Sequence, residues 1–456
     1  MTTLLAGSGL LTLLSGAVGL VGGALLLLLL RRLPRVAVSV WLAALCLLPV
    51  WTGVSVGGIH LPAASLAAVL VILAVVPVPG FRVSPLDALV VLMGASALAG
   101  LLVGSDEKAS LTTVVSFLSY GVPGYLLGRL AAHRIGMAAL QGIVAVAFTV
   151  VGALAVVEFA LHWNPFLDLP GNGGLRALWG TLQGRGGIVR AEGAFGHSIA
   201  LGSSLSVAIP LTLASRFGLP ARLAMTAVML LGTVLTFSRV GMLGALLGLV
   251  LAIVFLRDEI SLRVRVTVTA VVVVVVAAIA PFVQTVFDDA GTEATNSSDY
   301  RGNLYGLIPG MRILGLASSA YRGTDGRVFY GGFRSIDSQL VLTGLTFGVL
   351  SAVGVLLALA VGVWLVIRGR ATAATIALVA QIPALATVAL ITQYSVFMWF
   401  LAGVAATSQV LRRVPAPEAD AADAPADPGP DSEAPPDPTP ARTSALSPLP
   451  GRTPSR

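Results

Sequence analysis

The chain has 456 residues, of which 56% are hydrophobic and only 11% charged, against roughly a quarter charged in soluble domains. Continuous apolar runs of about twenty residues exclude an ordinary soluble enzyme, and also a β-barrel, whose strands alternate over short stretches. The net charge of +7 is carried by 27 Arg and a single Lys, Lys108, scattered over loops without a contiguous patch, so no nucleic-acid partner is expected.

Apolar spans are predicted near 4–30, 36–51, 61–79, 85–104, 109–129, 137–161, 197–215, 222–237, 240–256, 266–286, 338–366, 372–392 and 394–411. The expected fold is therefore all-α: a polytopic membrane protein with about 12–13 transmembrane helices. The first run has no basic lead-in and exceeds the roughly 7–15-residue core of a signal peptide, so it is read as a span. Arg-rich connections at 31–35, 128–134, 216–222, 257–265, 368–370 and 412–413 fall on one side if the spans alternate, and that side is assigned to the cytoplasm of a plasma-membrane protein.

Two longer loops, 162–196 and 287–336, then face outside. The second begins acidic (Asp288, Asp289, Glu293, Asp299) and turns basic, with Arg301, Arg312, Arg322, Arg327 and Arg334 against Asp325. An Arg-rich external loop runs against the positive-inside tendency, and an anionic substrate is the simplest reason for it. No internal repeat and no pair of broken helices is evident. The membrane body is assigned to 1–413. The tail 414–456 holds twelve Pro, seven acids and three Arg; it is expected to be disordered, cytoplasmic and without catalytic role.

Soluble-enzyme signatures are missing: there is no P-loop, dinucleotide fingerprint, HExxH or placed GxSxG. Four His residues lie in different loops and spans and Cys46 is alone, so neither a metal nor a cofactor is expected. Three polar stretches fall on the outer side. They are "RAEGAFGHSIALG" (190–202), "TFSRVGML" (236–243), and "YRGNLYGLIPGMRILGLASSAYRG" (300–323) with "SIDSQLVLTGLTFGVLS" (335–351). Arg190, Arg239 and Arg301 offer guanidinium forks that match phosphate and stay charged. Each candidate also has a plainer reading. Arg239 fits a side chain snorkelling to headgroups, Glu192 a counter-ion, His197 a residue leading a helix, and Asp337 a helix N-cap. "GNGG" and "GRGG" in the first loop read as turns.

Together these stretches resemble the O-antigen ligase and O-antigen polymerase superfamily of bacterial membrane glycosyltransferases. The family's R-x-x-G-x-F segment is matched by Arg190, Gly193 and Phe195, followed by Gly196, His197 and Ser198 in place of the usual Pro-Asn sequel. Its T-x-S-R between two spans is matched by Thr236, Ser238 and Arg239. An early loop Arg, an L-G-x-G-like segment and a His-Asn or Asp-Asn helix start are matched by Arg301, "ILGLASSAYRG" and Asp337, with Ser338 in place of Asn.

The resemblance covers about residues 85–411 and implies a metal-independent, GT-C-like membrane glycosyltransferase. Its donor would be a polyprenyl-diphosphate-linked glycan and its acceptor a glycan or lipid, at the extracytoplasmic face; Asp337 leans towards polymerase over ligase. On that reading Arg190, Arg239, Arg301 and Arg322 hold the diphosphate, Asp337 or Glu192 is the general base, and His197 orients the acceptor. The alternative class is a polytopic transporter or lipid-linked glycan flippase.

Overall fold

The computed structural model describes residues 22–56, 59–103, 106–185, 187–256, 303–324 and 326–412, with scattered positions between 262 and 277. Most of the expected spans 4–30 and 266–286, most of the connection 257–265, Arg301, the acidic start of the second loop and the tail 414–456 lie outside the described residues.

The described chain is predominantly helical. Residues 22–32 form a helix, followed by α1 (Pro34–Leu47), α2 (Ala63–Val75), α3 (Pro85–Val103), α4 (Glu107–Ser116), α5 (Val122–Ile135) and α6 (Met137–Leu161). Then come the short α7 (Gly173–Trp179), α8 (Ser198–Leu213), α9 (Leu219–Leu235) and α10 (Arg239–Phe255). Past the second loop lie α11 (Gln339–Phe347), α12 (Val349–Ile367), α13 (Ala373–Ala380), α14 (Ile382–Thr387) and α15 (Thr392–Arg412).

Among the described residues three antiparallel hairpins sit in the connections: β1–β2 (Gly53–Val56, Ile59–Pro62), β3–β4 (Gly184–Arg185, Ile188–Val189) and β5–β6 (Ala320–Arg322, Val328–Tyr330). Among the described residues five helical segments are long and apolar enough to cross a membrane: α3, the continuous Glu107–Ile135, α6, α12 and α15.

Packing depends on small residues, as expected where lipid supplies no drive to pair helices. A Cβ on Gly124 would meet Val396 O at 2.7 Å, one on Gly128 would collide with Phe400 O, and one on Gly403 with Tyr125 O. The α5 and α15 backbones are therefore in direct contact. In the same way Gly241 of α10 lies against Gly202 of α8, where a Cβ would stand 3.0 Å from the Gly202 Cα. Helix α8 is the centre of the bundle, with every residue buried except the half-buried Ile199.

Three features differ from the sequence expectation. First, the helix read as 109–129 runs on to Ile135, with a π turn at Phe117–Gly121 where the Val122 N–H reaches back to Phe117 O. Arg129, expected in a loop, is thereby buried. It grips Asp87 with Nε to Oδ1 and Nη2 to Oδ2, both 2.9 Å, while Nη1 donates to Thr407 Oγ1 (2.8 Å). Buried charge survives because each donor is matched.

Second, two helices are interrupted. The run 338–366 breaks at Gly348 (φ +85°), where the N–H groups of Val349 and Leu350 donate to Arg312 O (2.8 Å) and Ile313 O (3.2 Å) of the second loop. The run 372–392 breaks at Gln381, just before Pro383, which has no N–H to continue the ladder. Third, Asp337 is not the cap of α11. That role belongs to Ser338, whose Oγ accepts from the Val341 N–H (3.3 Å).

The helices share two ends. At one, Gln393 Nε2 donates to Leu48 O (2.8 Å), just past α1, and to Ala194 O (2.7 Å) in the first loop. The C-terminus of α6 and the α9–α10 turn belong there too. At the other end Arg35 of α1, Met137 of α6, Arg216 after α8, Phe255 of α10 and Arg412 of α15 line one cavity of about 890 Å³.

Candidate functional site

The first loop is held by Glu158, near the C-terminus of α6. Gly193 takes φ +55°, which turns the consecutive N–H groups of Glu192 and Gly193 towards one anion. That anion is the Glu158 carboxylate: Glu192 N–H to Oε1 is 3.2 Å and Gly193 N–H to Oε2 is 2.8 Å, with Asn164 Nδ2 adding 2.9 Å to Oε1. The "RAEGAF" segment is thus a backbone nest filled by a side chain of the protein itself. Of the two glycine-rich stretches read as turns, "GNGG" is instead the start of a helix, α7. Asn172 caps it by accepting from the Leu175 N–H (3.0 Å), while Gly184 and Arg185 form β3, paired with Ile188 and Val189 of β4, and Gly187 takes φ +74°.

Arg190 is buried, at 6% exposure. Its Nε donates to Thr236 O (2.7 Å), the Ala191 N–H donates to Leu235 O (3.2 Å), and Arg185 Nη1 donates to Phe237 O (3.0 Å). Two guanidinium groups therefore close the carbonyl end of α9, where positive charge is favoured. The structure joins "RAEG" directly to "TFSR". Within that turn Phe237 adopts φ +45°, and Ser238 caps α10 through Gly241 N–H to Oγ (3.1 Å). Arg239 is the first residue of α10 and is exposed.

Glu192 lies deepest, with no exposure. Its Oε1 accepts from the Gln183 N–H (2.9 Å), while Oε2 has no hydrogen-bond partner among the described residues. Burial pushes its carboxyl up to about 7; the Gln183 N–H opposes that rise, the neighbouring Glu158 adds to it and Arg190 opposes it. His197 caps α8, its Nδ1 accepting from the Ile199 N–H (3.1 Å), so the ring carries its proton on Nε2. Burial, then the Arg190 charge, draws His197 down to about 4, and the ring is neutral at physiological pH. The cavity beside this cluster, lined by Glu158, His162, Asn164 and Arg190 among others, is about 10 Å³.

The third stretch reaches the same end through α14–α15. The Gln339 N–H donates to Val388 O (3.0 Å) and Gln339 Oε1 accepts from Leu390 N–H (2.8 Å), a few residues before the Gln393 that holds Ala194. Asp337 is half-buried and accepts from Ser335 Oγ (2.7 Å). Arg322 has other company: its N–H donates to Asp106 Oδ2 (2.9 Å) and its Nε to Gly326 O (3.2 Å). The Arg322 and Ala109 N–H groups hold the Asp106 carboxyl below the usual range.

Sequence reasoning missed Glu158 and Asp106. A lone carboxylate at the edge of an apolar span was the available signal for the first. For the second, an Asp just before a helix is a capping signal, and Asp106 Oδ1 does accept from the Ala109 N–H (2.9 Å). No family model, curated protein or solved structure matches this chain.

Proposed function

We propose that this protein is a plasma-membrane glycosyltransferase of the O-antigen ligase and polymerase type, with the 12–13 spans and GT-C-like plan that type implies. It would transfer glycan from a polyprenyl diphosphate to a glycan or lipid acceptor at the extracytoplasmic face, polymerisation being preferred over ligation. The supporting observation is Glu192: a buried carboxyl raised to about 7, with one oxygen unpartnered by hydrogen bonds among the described residues. Such a group is poised to take a proton at neutral pH.

In the proposed step the acceptor hydroxyl gives its proton to Glu192 as its oxygen bonds to the anomeric carbon. The bond from that carbon to the diphosphate breaks, and its electron pair leaves on the diphosphate oxygen. Arg239, exposed at the N-terminus of α10, brings a guanidinium and a helix dipole to that charge. Arg301 and Arg322 of the second loop are its proposed partners, His197 orients the acceptor, and Asp337 is the second candidate base. Arg190 is reassigned: with Nε on Thr236 O, it holds the turn from which Arg239 projects. A cavity of about 10 Å³ admits no sugar, so donor binding must open the first loop to bring Glu192 to the acceptor.

The experiment is to incubate the purified protein with lipid-linked oligosaccharide and measure released polyprenyl diphosphate together with transferred glycan. Release coupled to transfer is expected, falling about 100-fold or more in Glu192→Gln and at least about tenfold in Arg239→Lys, whose point charge cannot copy the fork. Full activity in both variants would remove the assignment.

The transporter or flippase alternative draws on the interrupted helices at Gly348 and Gln381, because broken helices commonly frame transport sites. Here, however, Arg312 O and Ile313 O occupy the first break, and Gln381 is bonded to Ser206 Oγ (2.9 Å) and Tyr394 Oη (2.8 Å). Movement of intact lipid-linked glycan across vesicles, without release of diphosphate, would establish that alternative.

A further inference from the structure

At the end of the bundle opposite Glu192, two cavities share a wall. The wide one of about 890 Å³ is bordered by Arg35, Arg216 and Arg412, the last with Nη1 donating to Ala371 O (2.9 Å). The second, about 720 Å³, is a slot between α1 and α6. Its walls are almost wholly apolar, as at Val36, Ala43, Ile143 and Val146, and Arg35 and Arg216 stand at its mouth. Both of these arginines line both cavities, both are exposed, and among the described residues no acidic side chain lines either space.

The slot's lining runs from Arg35 to Leu47 on α1 and from Ala138 to Val150 on α6. Twelve helical steps of about 1.5 Å cover about 18 Å, close to the roughly 15 Å of one leaflet's hydrocarbon.

We propose that this is a binding site for an anionic phospholipid, with one acyl chain in the α1–α6 slot and the phosphate between Arg35 and Arg216. The slot supplies what a chain needs and the paired guanidinium groups supply what a phosphate needs. Charge selects the occupant. A zwitterionic lipid brings its own cation to a mouth where, among the described residues, two arginines stand and no acid, whereas an anionic headgroup meets both guanidinium groups with its own charge. Free phosphate would have no use for the slot. The site lies at the other end of the bundle from Glu192 and stands whether or not the protein is a glycosyltransferase.

The test uses the full-length protein in detergent with dioleoyl phosphatidylglycerol and dioleoyl phosphatidylcholine. From an equimolar mixture, native mass spectrometry of the wild-type protein should show preferential retention of phosphatidylglycerol. In thermal melts, the apparent affinity for phosphatidylglycerol should fall about tenfold or more in Arg35→Gln/Arg216→Gln, as loss of charge-assisted hydrogen bonds predicts.

Gly142→Leu should abolish the preference by filling the slot. An added Cβ there meets Phe217 only at 3.8 Å, so the fold has room for it. Inorganic phosphate at equal concentration should not compete. Equal retention of the two lipids by the wild-type protein overturns the proposal even if a variant does not fold. So does an undiminished preference in the double Gln variant or in Gly142→Leu, or displacement by inorganic phosphate.

Discussion

Glu192 is the residue on which the chemistry and the stability of this protein pull in opposite directions. Its carboxyl sits at about 7 in the folded protein against an ordinary 4.5. Between those values the folded state keeps a proton that the unfolded chain has lost, so stability falls as pH rises through this window and the full cost is present above about 7. At about 1.4 kcal/mol per unit, the cost is at most on the order of 3 kcal/mol. Glu192→Gln removes the charge while leaving an acceptor for the Gln183 N–H. That variant should melt higher than wild type at pH 8, with the difference closing towards pH 4.5. Transfer activity of the wild-type protein should instead rise through pH 7 as the base ionises. Thermal melts and a pH–rate profile on the same preparation check both slopes. A coincident rise of activity and stability with pH contradicts a raised carboxyl at the site.

Among the elements, the pairing of α5 with α15 depends most on single atoms. Gly128 faces the Phe400 carbonyl so closely that a methyl group cannot enter without parting the helices. Gly128→Ala is expected to destabilise the protein by about 1–3 kcal/mol, the usual range for overpacking. Gly173→Ala at the exposed start of α7, where an added Cβ meets nothing within 4 Å, should change stability by no more than about 0.5 kcal/mol. Denaturation of both variants in one detergent tests the contrast.

The elements also show where the sequence was legible. Apolar runs marked the helices because burial and lipid both demand them, and "TFSR" carried its own Ser238 cap. The break at Gly348 was not legible, since apolar residues continue on both sides of it. It exists because carbonyls of residues 312 and 313, more than thirty positions earlier, take over the N–H groups that the break frees. The hold of Glu158 on the first loop was hidden for the same reason: its partners lie 34 and 35 residues away.

For the whole molecule, the common ends of the helices turn the alternation of loops into a measurable orientation. If the Glu192 end faces outside, a thiol introduced by Gly173→Cys should react in intact cells with a membrane-impermeant maleimide. One introduced by Gly218→Cys, beside Arg216, should react only after permeabilisation. Cys46 is buried and contributes no background. Labelling of Gly218→Cys alone in intact cells would invert the molecule and move the proposed transfer to the cytoplasmic face.

The amino-acid sequence by itself determined that this is a helical membrane protein, because hydropathy over a span is a sum that needs no partner. It also marked the three polar stretches, since a charged side chain beside an apolar span is conspicuous wherever the chain goes. Only the tertiary structure decided what those charges do. It gave Arg190 to the carbonyl end of α9, left Arg239 exposed, sealed Glu192 away from water and placed Glu158 beneath it. The reason is physical. Burial and hydrogen bonding belong to pairs of groups, and the partners here are contributed by segments tens of residues apart that meet only when the bundle closes.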